Sequence, residues 1–389
     1  MNHRLAQNIF LTIFVIFLSA VHDAAFAAPQ KPVAKFKLAL PGYRFQFPRD
    51  HGSHPAFATE WWYYTGNLRA SDGRRFGYQL TFFRTALAPQ VQRKSKWAVR
   101  DAILGHFALS DIDNQKFYFC DRLARGAVGL GGADTAMTNK HPRVWLGDWQ
   151  IQFSPRGQTI RAAGTDFNTA NKVQPKFAIQ LTQRPKKSPV LHGTNGVSQK
   201  AAGLGQASHY YSFTRLASRG TIRIGNETFA VEGDSWFDQE FGSNQLAKNQ
   251  IGWDWFSLQL GDGREVMLYQ MRLRGGGIDP YSSATIVEKN GRARHLKRSD
   301  FRITVLSKWK SALTGATYPA RWKVVLPREN MTFEVQPNFA AQELVTSRST
   351  GISYYEGSVR FSGRQNGRAL GGVGYVELTG YDREFRGTF

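Results

Sequence analysis

Residues 60–84, EWWYYTGNLRASDGRRFGYQLTFFR, hold a Trp-rich strand, the turn Asp72-Gly73-Arg74 and a second aromatic strand that ends in Arg84. Asp-Gly between two such runs is a strong hairpin signal, because glycine supplies the positive φ that a tight turn requires. Residues 252–272, GWDWFSLQLGDGREVMLYQMR, repeat the design, with Trp253 and Trp255 in the first strand, Asp262-Gly263-Arg264 at the turn and Arg272 at the end. Each second strand also carries a glutamine, Gln79 or Gln270. Two copies of one hairpin, half a chain apart, point to two β domains in tandem.

The remainder of the chain fits that reading. Short apolar runs lie near 103–111, 116–122, 144–154, 176–182, 208–216, 221–224 and 228–232, and again near 284–289, 300–308, 321–327, 331–337, 353–360 and 374–381. Gly, Asn and Pro separate them, and few segments hold a helical period. The pattern predicts an all-β chain of two antiparallel barrels, with the two hairpins in equivalent places and the join between about 232 and 251. The polar run 184–206 is long for a connection inside a compact domain, and reads equally as a binding loop or as a disordered link.

The first residues have a basic start, an apolar run from Ile9 to Val21 and the small-x-small signal Ala25-Phe26-Ala27. The run is short for a membrane span and ends in a cleavage signal, so residues 1–27 are expected to be a signal peptide and the mature chain to begin near Ala28. The expected product is periplasmic or secreted, with domains at 36–235 and 245–389. Cys120 is the sole cysteine, so an exported product has no internal disulfide and depends on its core. The net charge of +22 is spread among the strands. It reads as a solvated basic surface, or as attraction to an anionic membrane surface or polysaccharide. No nucleic-acid reader motif is present, and no nucleic-acid partner is expected.

Chemistry concentrates in residues 208–242, SHYYSFTRLASRGTIRIGNETFAVEGDSWFDQEFG. Side chains two apart on a strand share a face, so His209 with Tyr211, and Trp236 with Asp238, are expected to bring an acid, an imidazole and two rings together. An acid among aromatic faces suits protonation of a carbon–carbon double bond. Other constellations are weaker. His51, His54, Glu60 and His106 read as a turn with a histidine paired to Glu60 rather than as metal ligands. Asp238 and Glu240 share strand phase, yet do not face each other across a cleft as a glycosidase pair must. Ser235 lacks the strand-to-helix setting of a hydrolase nucleophile, and the glycines from Gly126 lack that of a nucleotide loop.

The segments FPRDHGSHPAFATEWWYYTGNLR (47–69), FGYQLTFFR (76–84), SHYYSFTRL (208–216), WFDQEFGS (236–243) and GWDWFSLQL (252–260) resemble the AttH and carotenoid 1,2-hydratase family. The resemblance runs from about Phe45 to the C-terminus and implies two tandem lipocalin-like barrels. Carotenoid hydratases have a proposed site with a His-x-Trp pair and a later Tyr-x-Asp pair. This chain has His209-x-Tyr211 and Trp236-x-Asp238 at matching spacing, so both ionisable groups are kept and the two rings differ. The resemblance implies Asp238 as general acid, His209 as the group that orients or deprotonates water, and Tyr211 and Trp236 as a π-wall for the cation. Glu60, Trp61 and Trp62, with Trp253 and Trp255 of the second hairpin, are the expected ligand-lining residues. No cofactor and no metal are expected, and the ligand is an apolar isoprenoid or acyl chain. A non-catalytic lipid carrier, serving a membrane transporter, would use the same pocket; it differs in having no need of a buried acid.

Overall fold

A computed structural model describes residues 35–89, 95, 97–135, 141–244 and 246–385. The expected signal peptide and its cleavage site lie outside the described residues. Among those residues there is no α-helix, and the strands form two antiparallel sheets of 13 and 10 strands. This is the expected all-β architecture of two tandem barrels.

The two sheets follow one plan. In the first, the hairpin Thr59–Ala70 with Arg75–Ala86 pairs through its first strand with Glu227–Gly242, the last strand of that sheet, which pairs in turn with Ala207–Ile224. In the second, the hairpin Gln250–Leu260 with Glu265–Leu273 pairs through its first strand with Arg368–Leu378, which pairs with Ser353–Gln365. The two Asp-Gly hairpins therefore hold equivalent places in the strand order. Gly73 and Gly263, at φ 93° and 90°, occupy the left-handed region that the turns require.

Burial shows how the sheets are used. Lys176–Pro185 alternates between the first core and solvent, as a strand with one wet face should. Asp101–Asp111 and the end of Glu227–Gly242 are buried on both faces, because their outer sides are covered by the second sheet. Each sheet encloses its own core, around Trp62, Phe82, Trp149 and Phe237 in the first and Phe256, Trp322, Val335 and Val376 in the second. Between the sheets lies a third cluster of Tyr63, Tyr210, Trp236, Trp255, Met267, Tyr269, Met271 and Tyr375.

Polar contacts lock this junction. Ser358 Oγ donates to Asn67 Oδ1 at 2.7 Å, and Asn67 Nδ2 donates to the Gly374 carbonyl at 3.1 Å. The backbones approach so closely here that a Cβ at Gly77 would stand 2.6 Å from that of Ser358. Buried Glu265 of the second sheet receives Lys187 Nζ at 2.6 Å and Arg215 Nε at 2.7 Å from the first. Arg215 also pairs with Asp234 at 2.9 Å, so each cation has a carboxylate, and the desolvation that burial imposes is offset.

Candidate functional site

Strand parity decides which side chains meet. Tyr210 lies opposite Glu240, Tyr211 opposite Gln239 and Ser212 opposite Asp238. Since side chains alternate, Tyr210, Ser212, Trp236, Asp238 and Glu240 all face the second sheet, while His209, Tyr211, Gln239 and Phe241 face the other way, into the first barrel. The expected meeting of His209 and Tyr211 with Asp238 does not occur.

On the barrel side, His209 packs against Tyr43 and Phe241, at ring centroid distances of 4.5 and 5.1 Å, and its Nδ1 is buried without a partner. Burial, and then the neighbouring His54, push its pKa down to about 4. Tyr211 donates to Gln239 Oε1 at 2.7 Å and lies 2.7 Å from His51 Nδ1. Glu60 accepts from His54 Nδ1 at 2.6 Å and Gln239 Nε2 at 2.9 Å and pairs with Arg84. Trp62 sits in the first core and donates its indole N–H to the His51 carbonyl. Glu60 and Trp62 thus build the first barrel rather than line the junction.

On the junction side a cavity of about 240 Å³ opens between the sheets. Trp61, Trp253 and Trp255 line it, together with Tyr63, Tyr210 and Tyr269. Asp238 lies in its wall and is 3% exposed. Its Oδ1 accepts from Trp236 Nε1 at 2.6 Å and from Ser212 Oγ, and its Oδ2 accepts from Tyr210 OH at 2.8 Å. Trp236 therefore stands behind the acid as a hydrogen-bond donor, and the aromatic wall comes from other rings. Burial raises the Asp238 pKa to about 7, although all three hydrogen bonds favour the carboxylate.

A histidine that no sequence motif singles out stands behind this group. His192 Nε2 is 2.6 Å from Ser212 Oγ and its Nδ1 is 2.9 Å from Thr285 Oγ1. Burial, and then Lys200, hold its pKa well below the ordinary range, so it is neutral. While Ser212 gives its one proton to Asp238, His192 must donate from Nε2 and accept at Nδ1, which fixes its tautomer. The 184–206 run is the element that delivers it. Its short strands Val190–Leu191 and Val197–Gln199 pair with Ala207–Ile224 and also bring Lys200 to the cavity.

Lys200 Nζ lies 3.0 Å from Glu240 and 4.2 Å from the Tyr269 ring centroid. Burial works against its charge, but Glu240 more than offsets this and holds its pKa above the ordinary value. Two further carboxyls come from the second sheet, where Glu356 and Glu377 are directly opposite each other and both line the cavity. Burial, then Glu377, raise Glu356 well above its usual pKa, and burial, then Asp238 and Glu240, push Glu377 up to about 8. Among the described residues no group of three or more His, Cys, Asp or Glu is arranged to hold a metal ion.

The family model described as AttH-like matches residues 38–381. A solved chain from Nitrosomonas europaea, described as a candidate AttH, is 32% identical, with 89% of this chain and all of that one covered and a TM-score of 0.76. Kievitone hydratase from Nectria haematococca is 15% identical, with 90% of this chain and 97% of that one covered and a TM-score of 0.61, a likeness of fold. No curated protein matches the chain in sequence.

Proposed function

This chain belongs to the AttH-like family, and from that premise we propose that its junction cavity adds water to a carbon–carbon double bond of an apolar prenyl or acyl-chain ligand by acid catalysis. The observation that carries the reading is Asp238, a buried acid with a pKa near 7 in the wall of an aromatic cavity. A general acid works best with a pKa close to the working pH. Kievitone hydratase, which shares the fold, is by name a hydratase and agrees with the reading, but at 15% identity the weight rests on Asp238.

The alkene electron pair takes the Asp238 proton to form a C–H bond, leaving a cation on the other carbon and a carboxylate on Asp238. The faces of Tyr210 and Trp255 stabilise that cation. Water closes on it and gives up a proton to a cavity carboxylate, Glu240 of the Lys200 ion pair or Asp238 itself. The proton returns to Asp238, and the sum is alkene plus water to alcohol. No cofactor enters. His209, on the far side of the sheet, has no part in this scheme.

Export and the +22 charge fit work beside an anionic membrane surface that supplies the ligand. A carrier of lipid to a membrane transporter would use the same cavity and leave the raised Asp238 pKa without a purpose. Conversion of a prenyl alkene by wild type and by Asp238→Asn, with ligand affinity measured alongside, tests the proposal. Equal conversion by both proteins overturns it.

A further inference from the structure

The second sheet's carboxyls are left over by this chemistry. Glu356 is fully buried; Tyr63 OH donates to its Oε2 at 2.8 Å, and its Oε1 has no hydrogen-bond partner. Glu377 is only half-buried, and it borders the cavity. Neither group has an ion-pair partner among the described residues, and the one ammonium lining the cavity, Lys200, is taken by Glu240. Two carboxyls face to face without a cation cannot both ionise at low cost.

From this arrangement we infer that Glu377, backed by Glu356, is a hydrogen-bonding subsite for an uncharged oxygen on the ligand, so that the ligand is an oxygenated prenyl compound such as an alcohol and not a bare hydrocarbon. A hydrogen bond from the Trp253 side chain favours the Glu377 carboxylate and works against the effect of burial. A protonated carboxyl keeps an O–H to donate and an oxygen to accept with, which matches a hydroxyl on both counts. The raised pKa values of both glutamates agree with that state. A hydrocarbon filling the cavity would strip water from these groups and return no hydrogen bond. A carboxylate ligand would meet four acids and one engaged lysine. A cationic ligand would first have to ionise the Glu356–Glu377 pair, whose carboxyls hold their protons.

The subsite rests on the cavity's being the ligand site, but binding tests it apart from turnover. Affinities of the full-length mature protein for geraniol, myrcene, geranylamine and geranic acid are read from quenching of tryptophan fluorescence. These share a ten-carbon skeleton and differ at its end. Geraniol is expected to bind at least about 10-fold more tightly than myrcene, the worth of a hydrogen bond that would otherwise go unmade. Glu377→Leu should bring geraniol to the affinity of myrcene, while Glu377→Gln, whose amide still donates and accepts, keeps most of the difference. Thermal melting confirms that both variants fold, and the wild-type series stands without them. Equal affinity for geraniol and myrcene, tighter binding of the amine or the acid, or no binding of geraniol would each overturn the inference. Selective binding of geraniol without any alkene hydration would retire the proposed activity and leave the subsite standing; hydration without selectivity would do the reverse.

Discussion

Tyr210→Phe removes one donor from Asp238 and leaves the ring in place, so it isolates what holds the acid near neutrality. The lost bond runs from Tyr210 OH to Oδ2 at 2.8 Å inside a buried site. A hydrogen bond to a charged group is worth about 1.5–3 kcal/mol, and one pKa unit corresponds to about 1.4 kcal/mol. Because the bond favours the carboxylate, its loss raises the pKa by roughly 1–2 units, from about 7 to roughly 8–9. Carbonyl-region NMR of aspartate-labelled protein reads the titration directly, with the Asp238→Asn spectrum assigning the signal. The alkaline limb of the turnover profile should move up by the same amount, while the plateau falls because the acid is weaker. A titration unmoved within half a unit would refute the claim that burial and three donors set this pKa in opposition.

Other expectations follow from the same geometry. Asp238 has a folded pKa of about 7 against 3.8 for a solvated aspartate, so its contribution to stability is full below pH 4 and is lost as pH rises from there through 7, by roughly 4 kcal/mol. Urea unfolding from pH 5 to 8 should therefore show a steeper loss for wild type than for Asp238→Asn. His209→Leu should leave alkene conversion within about 3-fold of wild type, since the ring faces the first barrel and loses no hydrogen bond there. Abolished turnover in a folded His209→Leu protein would mean that the strand parity is misread. Lys200→Met strands buried Glu240 without its cation and should lower stability by about 3–5 kcal/mol in thermal or urea melts. Lys200→Met with Glu240→Gln should recover most of that loss.

The fold was legible because hairpins carry their own punctuation: Asp72-Gly73 and Asp262-Gly263 each mark a turn whose flanking strands pair as the alternation demands. The candidate site was legible in its acid and in three tryptophans, Trp61, Trp253 and Trp255. It was misread in its imidazole. In SHYYSF both parities are aromatic or polar, and both faces of that strand are buried, so a period of two cannot say which face is barrel and which is junction. His209 and Tyr211 lie one residue out of phase with Tyr210 and Ser212, which puts them on the opposite face of the sheet. A signal for the missing carboxyls was present. Glu356 in YYEGS and Glu377 in YVELT are acids inside otherwise apolar strands, where a charge without a nearby partner calls for a reason. His192 could not be found this way, because it sits in a polar run and reaches Ser212 only through the pairing of Val190–Leu191 with the long strand.

Asp238→Asn bears most directly on the central claim. The substitution keeps the size of the side chain and its place among Tyr210, Ser212 and Trp236, and removes the proton the chemistry needs. Purified wild-type and variant proteins are given a prenyl alkene in isotopically labelled water, and the labelled alcohol is followed by mass spectrometry while affinity is measured by tryptophan quenching. The account predicts labelled alcohol from wild type, none from Asp238→Asn, and affinities within a few-fold of one another. Labelled alcohol formed equally fast by the variant would contradict it, as would a wild-type protein that binds the alkene tightly and returns it unchanged.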